Sequence, residues 1–166
     1  TTVTIRPATV CGYSPRQRLD VVVNIFTNLA YHKREISVFG GSQLRPNIHI
    51  QDMTDAYLCI IHADHLSINK KIYNVGERNY TVHEIAEIVK NVIGEDVILV
   101  KSHSDDNRSY HVSSEKIFKE LNFKPKLSIK DAVMDLKIAI EKKKLINSLA
   151  NPNYFNIKTM QQIDLK

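Results

Sequence analysis

The sequence predicts an α/β protein, and three observations carry that prediction. Short segments rich in β-branched residues alternate with longer segments whose apolar residues recur every three or four positions. Gly, Pro, Ser and Asn fall between the segments, where turns are needed. Two strand segments, residues 2–6 and 71–75, are longer and more apolar than the others and suit a parallel sheet, whereas the shorter strands suit a smaller mixed lobe.

The elements follow in order. Residues 2–6 alternate as a strand, which Pro7 is expected to end, and a loop over 8–18 contains Gly12, Ser14 and Pro15. Asp20 is the expected cap of a helix with Val22, Ile25, Phe26, Leu29 and Ala30 on one face. A strand at 36–39 stops at Gly40-Gly41, and a second extended piece covers 47–50. Asp52 is the expected cap of a helix that turns Met53, Ala56, Tyr57, Ile60 and Ile61 inward. The strand 71–75 ends at Gly76. Thr81 and Glu84 have the spacing of a capping box, in which each side chain takes the other residue's backbone N–H. Val82, Ile85, Ala86, Val89 and Ile93 line the helix that follows, and Gly94 ends it. A strand at 96–101, a short helix at 113–121 and a longer one capped by Ser128 complete the pattern. Beyond about residue 145, Asn and Gln crowd a weakly periodic stretch, expected to be a peripheral tail over 145–166.

Composition narrows the function. The chain has 166 residues, 43% hydrophobic and 25% charged, enough for a real core. No apolar run approaches the roughly 18 residues that cross a bilayer, so no membrane partner is expected. Thr1 to Arg6 lacks the charged start and apolar stretch of a signal peptide and reads as a strand already under way, as in a chain that begins within a larger protein. The net charge of +5 suits an anionic partner. The cations are scattered apart from Lys142–Lys144, which fits a solvated helix face, and there is no Trp or aromatic-interleaved basic stretch. Nucleic acid is therefore not expected. Cys11 and Cys59 match no metal spacing, and His62 and His65 lack a third ligand, so no metal is expected. Two unpaired cysteines suit a reducing, cytoplasmic location.

Four segments, in matching order and spacing, carry a resemblance. Arg6-Pro-Ala-Thr-Val-Cys-Gly12 resembles R-x-x-x-V-Y-G. Leu44-Arg-Pro-Asn-Ile-His-Ile-Gln-Asp52 resembles R-x-x-x-H-V-x-D, and Tyr73-Asn-Val-Gly76 resembles Y-N-V/I-G. Asn107-Arg-Ser-Tyr-His-Val-Ser-Ser-Glu-Lys116 with Glu120-Leu-Asn-Phe-Lys-Pro125 resembles R-x-Y-x-x-D/S-x-x-K…L-G-W/F-x-P. These are segments of the extended short-chain dehydrogenase/reductases, the NAD-dependent epimerase/dehydratase family, and the resemblance covers roughly residues 2–140. It implies the last strands of a doubly wound Rossmann-type parallel sheet plus a small mixed α/β lobe that binds substrate. Residues 1–144 would be the carboxyl-terminal half of an enzyme that uses NAD or NADP on a nucleoside-diphosphate sugar. The full-length protein would be a homodimer. The family's glycine-rich turn and its catalytic Y-x-x-x-K pair would precede this segment. No G-x-x-G-x-x-G occurs here, and the single Y-x-x-x-K match, Tyr154 to Lys158, falls in the Asn-rich tail. The fragment alone is accordingly expected to be inactive.

The resemblance also implies site residues. Arg45 stands where the family's Arg meets the pyrophosphate, a task suited to a planar guanidinium. Arg108 lies in the segment that supplies a second phosphate-binding cation. His103 occupies the position, counted back from Tyr110, where many relatives carry that Arg. Arg16 and Arg18 are candidates beside a helix start. Thr9 replaces an Asn near the substrate, and Ala8, Thr9 and Val10 would offer backbone groups to the nicotinamide. His49 and Asp52 are expected to be architectural. Two alternatives stay open: a reductase of the same fold acting on a substrate without a nucleotide, and a non-enzymatic basic binding domain. If the strands 2–6 and 71–75 lie in a parallel sheet, exposed apolar surface and self-association are expected beside them.

Overall fold

A computed structural model describes residues 1–103 and 108–164. Its elements are β1 (Val3–Pro7), β2 (Thr9–Cys11), α1 (Val22–Lys33), β3 (Glu35–Phe39), β4 (Leu44–His49), α2 (Ile50–His62), α3 (His65–Ile68), β5 (Lys71–Val75), β6 (Arg78–Thr81), α4 (Val82–Ile93), β7 (Ile98–Ser102), α5 (Glu115–Leu121), α6 (Ile129–Glu141), a 3-10 turn (Pro152–Tyr154) and α7 (Asn156–Gln162). The two strands expected in a parallel sheet find each other, though neither is longer than β3, β4 or β7: β1 runs parallel to β5, with Val3 opposite Lys71 and Pro7 opposite Val75. β2 and β4 are also parallel, and β6 closes that sheet antiparallel to β4. β3 and β7 form a third, parallel pair.

Three apolar clusters hold the layers. In one, α1, α4 and α6 pack against β3 through Val23, Phe26, Ile36, Val38, Ile85 and Val133. In a second, Met53, Ala56 and Ile60 of α2 cover Tyr73 and Val75 of β5. In a third, Leu19, Leu136, Ile140 and Leu145 meet beneath the last segment of the chain. Each fully buried aliphatic side chain stabilises by roughly 1.5–3 kcal/mol relative to exposure. The outer face of the β1–β5 pair is open, with Thr4, Arg6 and Ile72 exposed.

Several local expectations need correction. Pro7 ends β1 from inside the strand, and the 8–18 loop contains β2. α3 and β6 escaped the sequence reading: α3 is one turn long, and β6 is the polar stretch Arg-Asn-Tyr-Thr, extended because it pairs with β4. Asp20 does not cap α1, whose N-cap is Val21. Its Oδ2 instead accepts the N–H of Asn156 at 2.9 Å, at the start of α7. Asp52 does not cap α2. His49 does, its Nδ1 accepting the Gln51 N–H at 3.1 Å. Asp52 is buried in the first turn and accepts the N–H groups of Lys126 and Leu127 at 2.9 and 2.8 Å. Tyr57 and Ile61, expected inside, are exposed. The expected capping box forms at α4, and Ser128 and Asp131 make a second at α6. Thr81 and Glu84 exchange bonds at 3.0 and 2.7 Å, and Asp131 accepts the N–H and hydroxyl of Ser128.

Candidate functional site

Arg45 is delivered by a tight turn. Gly40 and Gly41 have positive φ of 74° and 121°, which favours glycine, and the Gln43 side chain ties the turn to Phe39 O and Gly41 N–H. Just inside β4, Arg45 Nη1 donates to Leu44 O at 2.9 Å and to Arg108 O at 2.6 Å. Its guanidinium lies 5.4 Å from the centre of the Tyr110 ring. Tyr110 N–H donates to Leu44 O at 3.2 Å, and Leu44 N–H to Ser109 Oγ at 3.0 Å. The 108–110 segment is thus fastened along the start of β4, and Arg108 is exposed beside Arg45. His103, also exposed, directly follows β7. Asn107, the first residue of the last resembling segment, lies outside the described residues.

Arg16 and Arg18 belong to a second place. The loop after β2 turns at Gly12, where φ is 102° and the N–H donates to Asn24 Oδ1 at 3.1 Å. Gln17, buried, donates to Gly12 O and Arg18 O, and Asn24 Nδ2 also reaches Arg18 O. This bracing surrounds a cavity of about 280 Å³ lined by Arg16, Arg18, Pro7, Val10, Met53 and Tyr57. It opens beyond the carboxyl ends of β1 and β2, the end at which α/β sheets bind ligands. The register sets the two places apart. Thr9 lies opposite Asn47 and Cys11 opposite His49, so Arg45 precedes the paired stretch and the Arg16–Arg18 loop follows it. A larger groove, about 520 Å³ between α2 and residues 122–126, contains none of the expected residues.

Thr9 is half-buried in β2, beside fully buried Asn47. Asn47 gives Nδ2 to Arg45 O at 2.8 Å, and its Oδ1 has no hydrogen-bond partner among the described residues. The period-two pattern of β4 places Arg45, Asn47 and His49 on one face. That was the available signal for Asn47, which sequence reasoning passed over. Glu77 was missed as well. Burial raises its pKa, and Tyr80 OH donates to its two oxygens at 3.2 and 2.9 Å. Burial, with Glu77 nearby, pushes the Cys11 thiol up to about 12, which makes it inert as a nucleophile. His49 is buried and has a partner at each ring nitrogen. Because Nδ1 accepts a backbone N–H, Nε2 carries the proton and faces Asp135 Oδ2 at 3.1 Å. Tyr154 packs in the cluster around Leu19, and Lys158 Nζ lies 4.4 Å from the Phe155 ring centre. Among the described residues no group of three His, Cys, Asp or Glu forms a metal site, and no helix is long and apolar enough to cross a membrane.

Parallel strand pairs flanked by helices, with a braced loop and a cavity at their carboxyl ends, define a Rossmann-like α/β protein. Residues 1–76 match the NAD dependent epimerase/dehydratase family. It is 34% identical over 110 residues to a probable GDP-L-fucose synthase of Oryza sativa subsp. japonica, an alignment covering 64% of this chain and 32% of that one. It is 30% identical over 112 residues to UDP-glucose 4-epimerase 2 of Arabidopsis thaliana, covering 61% and 32%. Among solved structures, UDP-glucose 4-epimerase of Thermotoga maritima with UDP-glucose superposes with a TM-score of 0.70 at 25% identity, over 86% of this chain and 46% of that one. UDP-glucuronic acid 4-epimerase of Bacillus cereus, in complex with UDP-glucuronic acid and NAD, shares the fold with a TM-score of 0.72 at 19% identity, over 85% and 45%. The chain spans about a third of the curated relatives' length.

Proposed function

We propose that this chain is the substrate-side half of an NAD(P)-dependent nucleotide-sugar epimerase or dehydratase, with Arg45 and Arg108 directed at the ligand's diphosphate. The observation that carries this reading is the joint between Arg45 and the Arg108 carbonyl. It brings the backbone of Arg108 to the Arg45 guanidinium across 63 positions of sequence. A guanidinium braced by backbone carbonyls and an aromatic ring has its direction set before a ligand arrives, which lowers the ordering cost of binding. Arg16, Arg18 and Thr9 would meet other parts of the ligand, and His103 would add a weaker cation near Arg108.

For the cofactor, Ala8 N–H is committed to Val75 O at 2.8 Å. Of Ala8, Thr9 and Val10, the two in β2 are therefore the better placed, since β2 is the edge of its sheet and has an outer row of backbone groups. An NAD(P) bound there would supply transient hydride transfer on the sugar. In this reading the parent enzyme is a cytoplasmic homodimer.

Thermal unfolding of the full-length protein with UDP, TDP, GDP and CDP sugars tests the reading. A ligand at a hundred times its Kd adds about 2.7 kcal/mol, or roughly 3–4 °C for a full-length chain two to three times as long as this one. Arg45→Ala should weaken that ligand about 10- to 100-fold, the worth of a charge-assisted hydrogen bond. No shift with any of the four would remove the nucleotide-sugar assignment.

A further inference from the structure

The loop that carries Arg16 and Arg18 is also gripped by the last stretch of the chain. Leu145 is buried against Leu19, Leu136 and Ile140. Ser148 is buried on α1, its hydroxyl donating to Asn28 Oδ1 at 2.7 Å while Asn28 Nδ2 reaches Ser148 O at 3.0 Å. From this anchor the chain crosses the loop. Lys144 Nζ lies 5.2 Å from the ring centre of Tyr13, at the loop's start. At its end, Leu19 N–H donates to Tyr154 O at 2.8 Å. Asp20 then joins the two segments: Oδ2 accepts the Asn156 N–H and Oδ1 accepts Arg18 Nε, each at 2.9 Å.

We propose that residues 145–162 are a strap that positions Arg18, with Asp20 as the positioning residue between strap and guanidinium. An arginine tied through Nε has a fixed direction and keeps its terminal nitrogens as donors. Arg18 lines the cavity after β2, so the strap sets how that cavity presents a cation to an anionic group. Only this last clause rests on the proposed function. Asp20 also satisfies an N–H at the start of α7 that has no partner within the helix, so strap order and Arg18 direction depend on one carboxylate. Burial pushes that carboxyl up. The bonds from Arg18 and the Asn156 N–H outweigh it and hold the group below the usual carboxylate value.

Asn156→Pro in the full-length protein tests the strap. Asn156 is the first residue of α7, where proline is well accepted, and Phe155 is already extended, as a residue before proline must be. The change deletes the N–H given to Asp20 and leaves the helix intact. The Asp20 carboxyl, followed by NMR, should titrate closer to its ordinary value. Amide exchange at Gly12, Ser14 and Leu19 should accelerate by roughly tenfold or more. Unchanged titration and exchange would overturn the strap. Asp20→Asn is the second variant. It retains an oxygen to accept the Asn156 N–H but removes the charge facing Arg18. It should preserve the exchange rate of Leu19 while weakening the nucleotide sugar that raises Tm, among the UDP, TDP, GDP and CDP sugars, by roughly two- to fivefold, the scale of an exposed ion pair. Nucleotide-sugar affinity equal to wild type would refute the positioning role of Asp20. A wild-type protein that ignores all four nucleotide sugars would count against the proposed function alone, because the titration and exchange readouts need no ligand.

Discussion

Replacing Asp52 distinguishes two accounts of what this carboxylate does. A helix cap contributes about 1 kcal/mol, and Asn caps as well as Asp, so a capping Asp52 would tolerate Asp52→Asn. In the structure the carboxylate is 2% exposed and accepts two backbone N–H groups, from Lys126 and Leu127. Bonds to a charged acceptor are worth about 1.5–3 kcal/mol each, so Asp52→Ala should cost at least about 3 kcal/mol. Near this chain length 1 kcal/mol moves Tm by about 2–4 °C, which gives a fall of roughly 6–12 °C. Asp52→Asn keeps one acceptor but turns an amide NH2 toward a backbone donor. It should cost about 2 kcal/mol, or roughly 4–8 °C. Calorimetry, with urea titration to show an unchanged m value, measures both. An Asp52→Asn protein melting within about 2 °C of wild type would refute the bridging account. The result bears on the site because α2 follows directly on β4, the strand that carries Arg45.

Two further outcomes follow from local geometry. Gly12→Ala should destabilise by about 1–3 kcal/mol, since φ there is 102° and the new Cβ would lie 3.1 Å from His49 Nε2; the measure is Tm together with the NMR shift of the His49 ring proton facing Asp135. The hydroxyl and N–H of Ser128 hold the Asp131 carboxyl below its ordinary 3.8, so its folded form is the poorer proton binder. Its contribution is therefore complete above the unfolded value and disappears as pH falls through the depressed one. The Tm difference between wild type and Asp131→Asn should be present at pH 6 and shrink steadily below about pH 4.

What could be read from the sequence depended on the range of the interaction. The longer helices announced themselves because their signals are local, whereas α3 and α7 did not: Thr81 and Glu84 are three residues apart, and the apolar face of α4 repeats within a turn. The strands 2–6 and 71–75 were visible from β-branched content, and their shared parallel sheet from their unusual apolarity. β6 was invisible because nothing in Arg-Asn-Tyr-Thr favours a strand until Leu44–Asn47 pairs with it. Asp20 and Asp52 were recognised as residues that bond helix-end N–H groups, but assigned to the nearest helix. Their real partners are 136 and 74–75 residues away. Arg45 and Arg108 were identified by resemblance, and their contact is a property of the fold alone. Asn47 and Glu77 had no motif to mark them.

The two cationic places constrain the ligand proposed for them. The distance along β4 from Arg45 to His49, where the level of the Arg16–Arg18 loop begins, is on the order of 13 Å for an extended strand. A phosphate-sized anion cannot touch both ends and would have to choose between a joint built on backbone carbonyls and a loop braced by Gln17 and Asn24. A ligand that uses both must be elongated, with its strongest charge at one end and polar groups along its length. Between the two ends β2 and β4 pair at Thr9 and Asn47, and half-buried Thr9 has a neutral hydroxyl to offer such a molecule. A diphosphate at Arg45 with a hydroxyl-rich sugar running toward Arg18 meets those demands. A compact anion meets only one of them.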